Sequence, residues 1–205
     1  MASRLALVVA LIVSTGVSRA APLAFQFSGT VIQVPIDDLY GDIVTGGLIS
    51  GSFTFDSATA DLIPGDPAIG SYTSSGAPFG MSVTIGSHVF SAQDSLNIGV
   101  FNAFVDQYTV LALGAGGSLT LELFLQDDSG TVFSGDGLPL ALAPLPSFTV
   151  RDFHLHEIAA GGEFQADGQL TSITSAAPVP EPAAAILVLT GVGLLSVVTK
   201  LRREK

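Results

Sequence analysis

The sequence predicts an all-β fold, a jelly-roll-like β-sandwich flanked by an N-terminal signal-peptide helix and a single C-terminal transmembrane helix. Three observations lead there. Between residues 23 and 174, apolar and polar side chains alternate in short runs, with no helix-period pattern longer than two turns. Gly, Pro, Asp and Ser punctuate these runs, as turns between strands require. The remaining apolar stretches lie at the two ends, where six of the seven basic residues also lie.

The first element is residues 1–20. Arg4 supplies a short basic region, and residues 5–13 form an unbroken apolar run. Ser14, Thr15 and Gly16 loosen a helix, and Ser18 and Ala20 place small residues at the −3 and −1 positions of a cut after Ala20. The run is short for a bilayer span of about 20 residues. It therefore reads as a cleaved secretory signal peptide rather than an anchor.

Residues 21–174 form the predicted β domain. Strands are expected at 25–34, with Gly29 a bulge or bend, and at 48–55, where Ile49, Phe53 and Phe55 share one side. Met81, Val83 and Ile85 align in the next run. Gly86-Ser87 then makes a two-residue hairpin turn into 88–92, and Gly at the first turn position suits type II′. Further strands are expected at 96–101, 108–113, 118–126, 131–134, 148–158 and 163–174. The clearest is 118–126, with Leu119, Leu121, Leu123 and Leu125 on one face and Ser118, Thr120, Glu122, Phe124 and Gln126 on the other. Asp127-Asp128-Ser129-Gly130 is a tight turn by composition. Ten short strands without helices point to a sandwich rather than an open sheet.

Composition excludes whole classes of chemistry. The chain has 205 residues and no Cys, which removes disulfides, Cys-ligated zinc, iron–sulfur clusters and thiol nucleophiles. Its formal net charge is −11, and between Ala21 and Pro178 the one base, Arg151, stands against 16 acids. That balance argues against nucleic acid as a partner. Hydrophobic residues make up 48% and charged residues 12%, so the middle can bury a core and is not disordered.

The C-terminal end is built differently. Residues 175–182 are a linker that ends in Val179-Pro180-Glu181-Pro182, where the two prolines deny regular backbone hydrogen bonding. Residues 183–199 carry no charge and would span roughly 25 Å as a helix. The tail 200–205 follows with Lys200, Arg202, Arg203 and Lys205, which the positive-inside rule keeps in the cytoplasm. The acidic middle then lies outside, in agreement with the signal peptide.

Pro180-Glu181-Pro182, an apolar segment containing Gly and an Arg-rich end, in that order, resemble the PEP-CTERM sorting signal of Gram-negative bacteria. The resemblance covers residues 179–205. It implies processing at or near the motif by an exosortase, a membrane-embedded enzyme resembling cysteine peptidases. It also implies a cell-surface or matrix destination among exopolysaccharide and biofilm. It says nothing of the middle domain's activity, because the domains carried ahead of such tails are diverse.

Within the domain, chemistry-bearing residues are sparse. No Gly-x-Ser-x-Gly elbow occurs, and Gly114-Ala115-Gly116-Gly117 lacks the spacing of a phosphate-binding loop. Asp152, His154 and His156 alternate along one strand, so all three point to one face and could converge on zinc. The other reading of that row is a polar, water-facing strip opposite Phe153 and Leu155. Loop carboxylates form the second candidate metal set, for calcium: Asp37, Asp38 and Asp42; Asp61 and Asp66; Asp127, Asp128 and Asp136. They match no EF-hand, and solvated turn residues are the plainer account. No other cofactor is expected.

The sequence thus leads to an exported, non-enzymatic surface or matrix protein, with signal peptidase and exosortase as processing partners and the membrane and exopolysaccharide as surroundings. A carbohydrate-binding module is the alternative, weakened by the absence of Trp and the presence of only three Tyr. A hydrolase is a remote third.

Overall fold

The computed structural model describes residues 22–176. The predicted signal peptide, the Pro-Glu-Pro motif, the apolar segment 183–199 and the basic tail lie outside the described residues. Among the described residues, no helix is long and apolar enough to cross a membrane.

The domain is all-β. Its strands are β1 (Pro22–Asp37), β2 (Leu48–Asp56), β3 (Ile69–Ser74), β4 (Gly80–Ile85), β5 (His88–Ala92), β6 (Ser95–Asn102), β7 (Asp106–Gly114), β8 (Leu119–Asp127), β9 (Val150–Ala159) and β10 (Gly162–Ser175). Two short 3-10 turns, Ala115–Gly117 and Leu145–Ser147, complete the described elements. The strands form one antiparallel sheet in the order β3-β6-β7-β8-β9-β10-β1-β2-β4-β5. The sheet curls until β4 and β5, at one edge, lie against β6, β7 and β8 from the other half.

This corrects the expectation of a jelly roll. A jelly roll needs two sheets linked by Greek-key crossovers. Here β6 to β10 run as a meander, and the continuous β10–β1 ladder joins the two halves. The core lies inside the curl because inward positions alternate along each strand. In β8, Leu119, Leu121, Leu123 and Leu125 are buried as their alternation requires. Phe25 and Phe53 are cross-strand partners and stack at 5.2 Å, with Phe55 6.0 Å from Phe25. Burying each such ring contributes roughly 1.5–3 kcal/mol.

Two elements differ from expectation. β3 was not foreseen, because its inward residues are Gly70, Tyr72 and Ser74 and give little apolar signal. Its outer edge is covered by the preceding loop: Leu62 N–H donates to the Ser71 carbonyl at 2.8 Å, and Asp61 accepts from Ser71 N–H at 2.9 Å. The strand expected at 131–134 is absent. Val132 and Phe133 suit a strand, but carboxylates take the backbone donors it would need. Asp127 accepts from Thr131 N–H at 2.9 Å and Asp106 from Phe133 N–H at 2.7 Å.

Glycine marks where the sheet bends. The ladder shifts register between Ser28 and Gly29, at the expected bulge. At Gly114 the inner face of β7 meets β5 so closely that a Cβ would sit 2.7 Å from Ala92 Cα and 3.1 Å from Ser91 O. Both neighbours are backbone and cannot step aside. Gly114→Val is therefore expected to destabilise the domain by about 1–3 kcal/mol. Gly99→Val, whose Cβ would meet nothing nearer than Thr109 Cβ at 3.8 Å, should leave stability unchanged or raised. Urea unfolding of the two variants checks the difference. Equal effects would show that β5 does not press on β7.

Candidate functional site

β9 and β10 form a hairpin in which Ala159 pairs with Gly162. That register places His154 opposite Asp167 and His156 opposite Gln165. Phe153 and Leu155 are buried, and Asp152, His154 and His156 lie on the outer face, as their alternation requires. The outer row does not act as one unit. His154 Nδ1 lies 2.9 Å from Asp167 Oδ1, and His156 Nε2 lies 2.9 Å from Glu163 Oε1. Each imidazole has its own carboxylate from β10, and Asp152 joins neither pair. Among the described residues, no three His, Asp or Glu side chains are grouped so that they could hold a metal ion.

The third histidine has a richer setting. The loop between β1 and β2 brings Asp42 Oδ1 to 2.7 Å from His88 Nε2. The His88 ring lies 4.6 Å from the ring of Tyr40, which also meets Phe90 and Phe164 edge-on at 5.3 and 4.8 Å. The Tyr40 hydroxyl donates to Glu157 on β9. Burial, then the Glu157 hydrogen bond and charge, push the Tyr40 hydroxyl up to about 12, so it remains a donor in neutral water. The loop starts on a carboxylate hinge: Asp37 accepts from the N–H groups of Tyr40 and Gly41, both at 2.8 Å. The N–H of Gly41 and then that of Tyr40 hold this carboxyl below its usual range. Asp38 accepts from Glu163 N–H at 3.4 Å. The three aspartates of this loop thus have three separate tasks, all of which tie the loop to the sheet.

Of the remaining loop aspartates, Asp61, Asp66, Asp127 and Asp128 also accept hydrogen bonds through their carboxylates, whereas Asp136 accepts through its backbone carbonyl. Asp61 accepts from Ile63 and Ser71 N–H, and Asp66 accepts from Ala68 N–H. Asp128 accepts from the Gln126 amide at 2.6 Å, and the Asp136 carbonyl accepts from the Tyr72 hydroxyl at 2.9 Å. Asp127 gathers the N–H and hydroxyl of both Ser129 and Thr131. The Thr131 N–H, the Ser129 hydroxyl and the Ser129 N–H hold its carboxyl down at about 2.

Sequence reasoning missed Asp106, which is fully buried beside Asp127 at the paired ends of β7 and β8. With its amide oriented to suit its neighbours, Asn102 donates to Asp106 at 3.1 Å and accepts from Gly135 N–H at 2.7 Å. These polar residues turn the loop after β8 back over the end of the core. The Asp167 and Glu163 partners were also missed. The signal for them was present, since a two-residue turn after Ala159 pairs positions 154 and 167 by counting alone.

Comparison of the chain with protein families, with curated proteins and with solved structures finds no match.

Proposed function

We propose that this chain is an exported, non-enzymatic cell-surface or extracellular-matrix protein of a Gram-negative bacterium. Its β domain serves as a sandwich-like module carried by a C-terminal sorting signal. Val179, Pro180, Glu181 and Pro182 form the recognised motif. Residues 183–199 hold the precursor in the inner membrane, and Lys200, Arg202, Arg203 and Lys205 keep its end in the cytoplasm. Signal peptidase cuts after Ala20 and an exosortase acts at or near the motif.

The observation that carries this reading is the order of the tail: a Pro-Glu-Pro motif, an uncharged segment of spanning length, then a basic end. The domain's geometry is compatible with attachment at both ends. β1 and β10 are neighbours, and Ala176 N–H donates to the Ala24 carbonyl at 2.7 Å, so the chain enters and leaves the domain at one place. Both flanking segments can then meet the same membrane while the domain stays folded. The non-enzymatic part rests on the sequence, which carries no nucleophile elbow and no phosphate-binding loop.

Mass spectrometry of the mature protein from its native host tests the proposal. The expected product starts at Ala21 and ends within or just before the motif. Glu181→Ala is expected to leave the C-terminal peptide attached. A mature chain still ending in Lys205 would overturn the sorting assignment.

A further inference from the structure

The outer surface of the curled sheet is divided by charge. Over β8 to β10 it carries Glu122, Asp152, His154, His156, Glu163 and Asp167, which adjoin one another in register. Over β10, β1, β2, β4 and β5 it carries two cross-strand rows of another kind. One row reads Thr174, Gln26, Ser52, Ser82, Ser91; the next reads Ser172, Ser28, Ser50, Thr84, Val89. Ten adjoining positions thus contain no charged side chain, in a domain where 16 acids face one base. Neighbouring strands stand about 4.8 Å apart, and alternate residues along a strand about 6.8 Å apart. The hydroxyls therefore form a regular grid.

The grid is not flat. A hollow of about 330 Å³ opens over its centre, lined by Gln26, Ser50, Ser52, Ser82 and Thr84 with the backbone of Gly51. It is shallow and open to solvent rather than an enclosed cleft. A side chain at position 51 would collide with the Ser82 carbonyl, so glycine keeps the strands close beneath the hollow. Among the described residues, no hydrogen bond engages the side chains of Gln26, Ser50, Ser52, Ser82 or Thr84. By contrast Ser28, at the margin, is bonded to Thr171 and Ser172. The hollow thus presents four hydroxyls and one amide whose donors and acceptors are uncommitted.

We infer that this hollow binds a neutral, polyhydroxylated polymer, an uncharged polysaccharide. Hydroxyls and an amide can each donate and accept, which matches a ligand whose own groups are hydroxyls. A cation would be better held by carboxylates, which the grid lacks. An anionic polymer would find no base here and a strongly acidic protein around it. Phe27 lies under the hollow but is only 3% exposed, so no aromatic face is offered for stacking. Recognition is then by hydrogen bonds alone, individually weak and multiplied along a repeating chain. The inference does not depend on how the protein is sorted, because it concerns binding by the chain itself.

Affinity electrophoresis tests it. The full chain in mild detergent is run through native gels containing dextran, a neutral β-glucan, or alginate with and without calcium. Retardation is expected in a neutral gel. Ser52→Ala/Ser82→Ala is expected to weaken it about tenfold, and Asp152→Asn on the charged half to leave it unchanged. Thermal melts establish that each variant is folded; if the double variant melts early, Thr84→Ala is read instead. No retardation in either neutral gel would overturn the inference. So would equal retardation of folded variant and parent, or retardation confined to alginate with calcium. Failure of any of these leaves the cut sites of the mature protein, and hence the sorting proposal, as they were.

Discussion

Phe153→Ala is expected to lower the stability of the domain by about 3–5 kcal/mol. Phe153 lies in the middle of β9, is fully buried, and reaches across β10 to Phe27 on β1 at a centroid distance of 6.1 Å. Gly168 is its cross-strand partner on the β10 strand between them. With no side chain of its own, Gly168 leaves room for Ile49 and the Phe153 ring: a Cβ there would collide with Ile49 Cδ1 and lie 3.5 Å from Phe153 Cδ1. A methyl in place of the ring would leave a cavity lined by strands joined on both sides, and such strands cannot close it by small shifts. For a domain of this size the loss would use a large part of the total stability. Chemical denaturation followed by far-ultraviolet circular dichroism reads the effect. A loss below about 1 kcal/mol would mean that the curled half-sheets do not pack through this ring.

Asp127→Asn is expected to remove much of the acid sensitivity of the fold. The carboxyl of Asp127 is held at about 2, against an ordinary 3.8, by the Thr131 N–H, the Ser129 hydroxyl and the Ser129 N–H. A folded-state value below the unfolded one means that the ionised form favours the folded state. That stabilisation is full above about pH 4 and is lost as the pH falls towards 2. Asp37 titrates in the same sense, so the variant should keep a shallower acid limb rather than none. Melting temperature against pH, from 6 down to 2, measures the slope in both proteins. Hydrogen exchange should show faster opening at Ser129 and Thr131 in the variant. An unchanged slope would place the acid-sensitive group elsewhere.

The residues of β8 show why much of the fold could be read directly. An inward Leu at every second position leaves one way for the strand to face, and all four are buried. The Gly86-Ser87 hairpin was equally local: Ile85 pairs with His88 across it, and Gly86 adopts the positive φ the turn needs. β3 escaped notice because an edge strand can turn a glycine and a serine inward. The false strand at 131–134 arose because apolar content does not reveal that Asp127 and Asp106 will claim the backbone donors. The candidate metal row illustrates the same limit. Alternation placed Asp152, His154 and His156 on one face, but the register of the next strand supplied Asp167 and Glu163 as their neighbours.

By itself the sequence determined the class of the fold, the faces of its clearly alternating strands and the acidic character of the domain, and it holds the tail on which the sorting proposal rests. Each of these is written in the composition or spacing of adjacent residues. The tertiary structure alone decided that the strands form one curled sheet, that β1 closes against β10, and that uncharged hydroxyls from five strands adjoin. Those outcomes depend on pairing residues as far apart as Phe25 and Ser175. No local period encodes such a pairing. It is selected by the summed burial of a core to which every strand contributes one face.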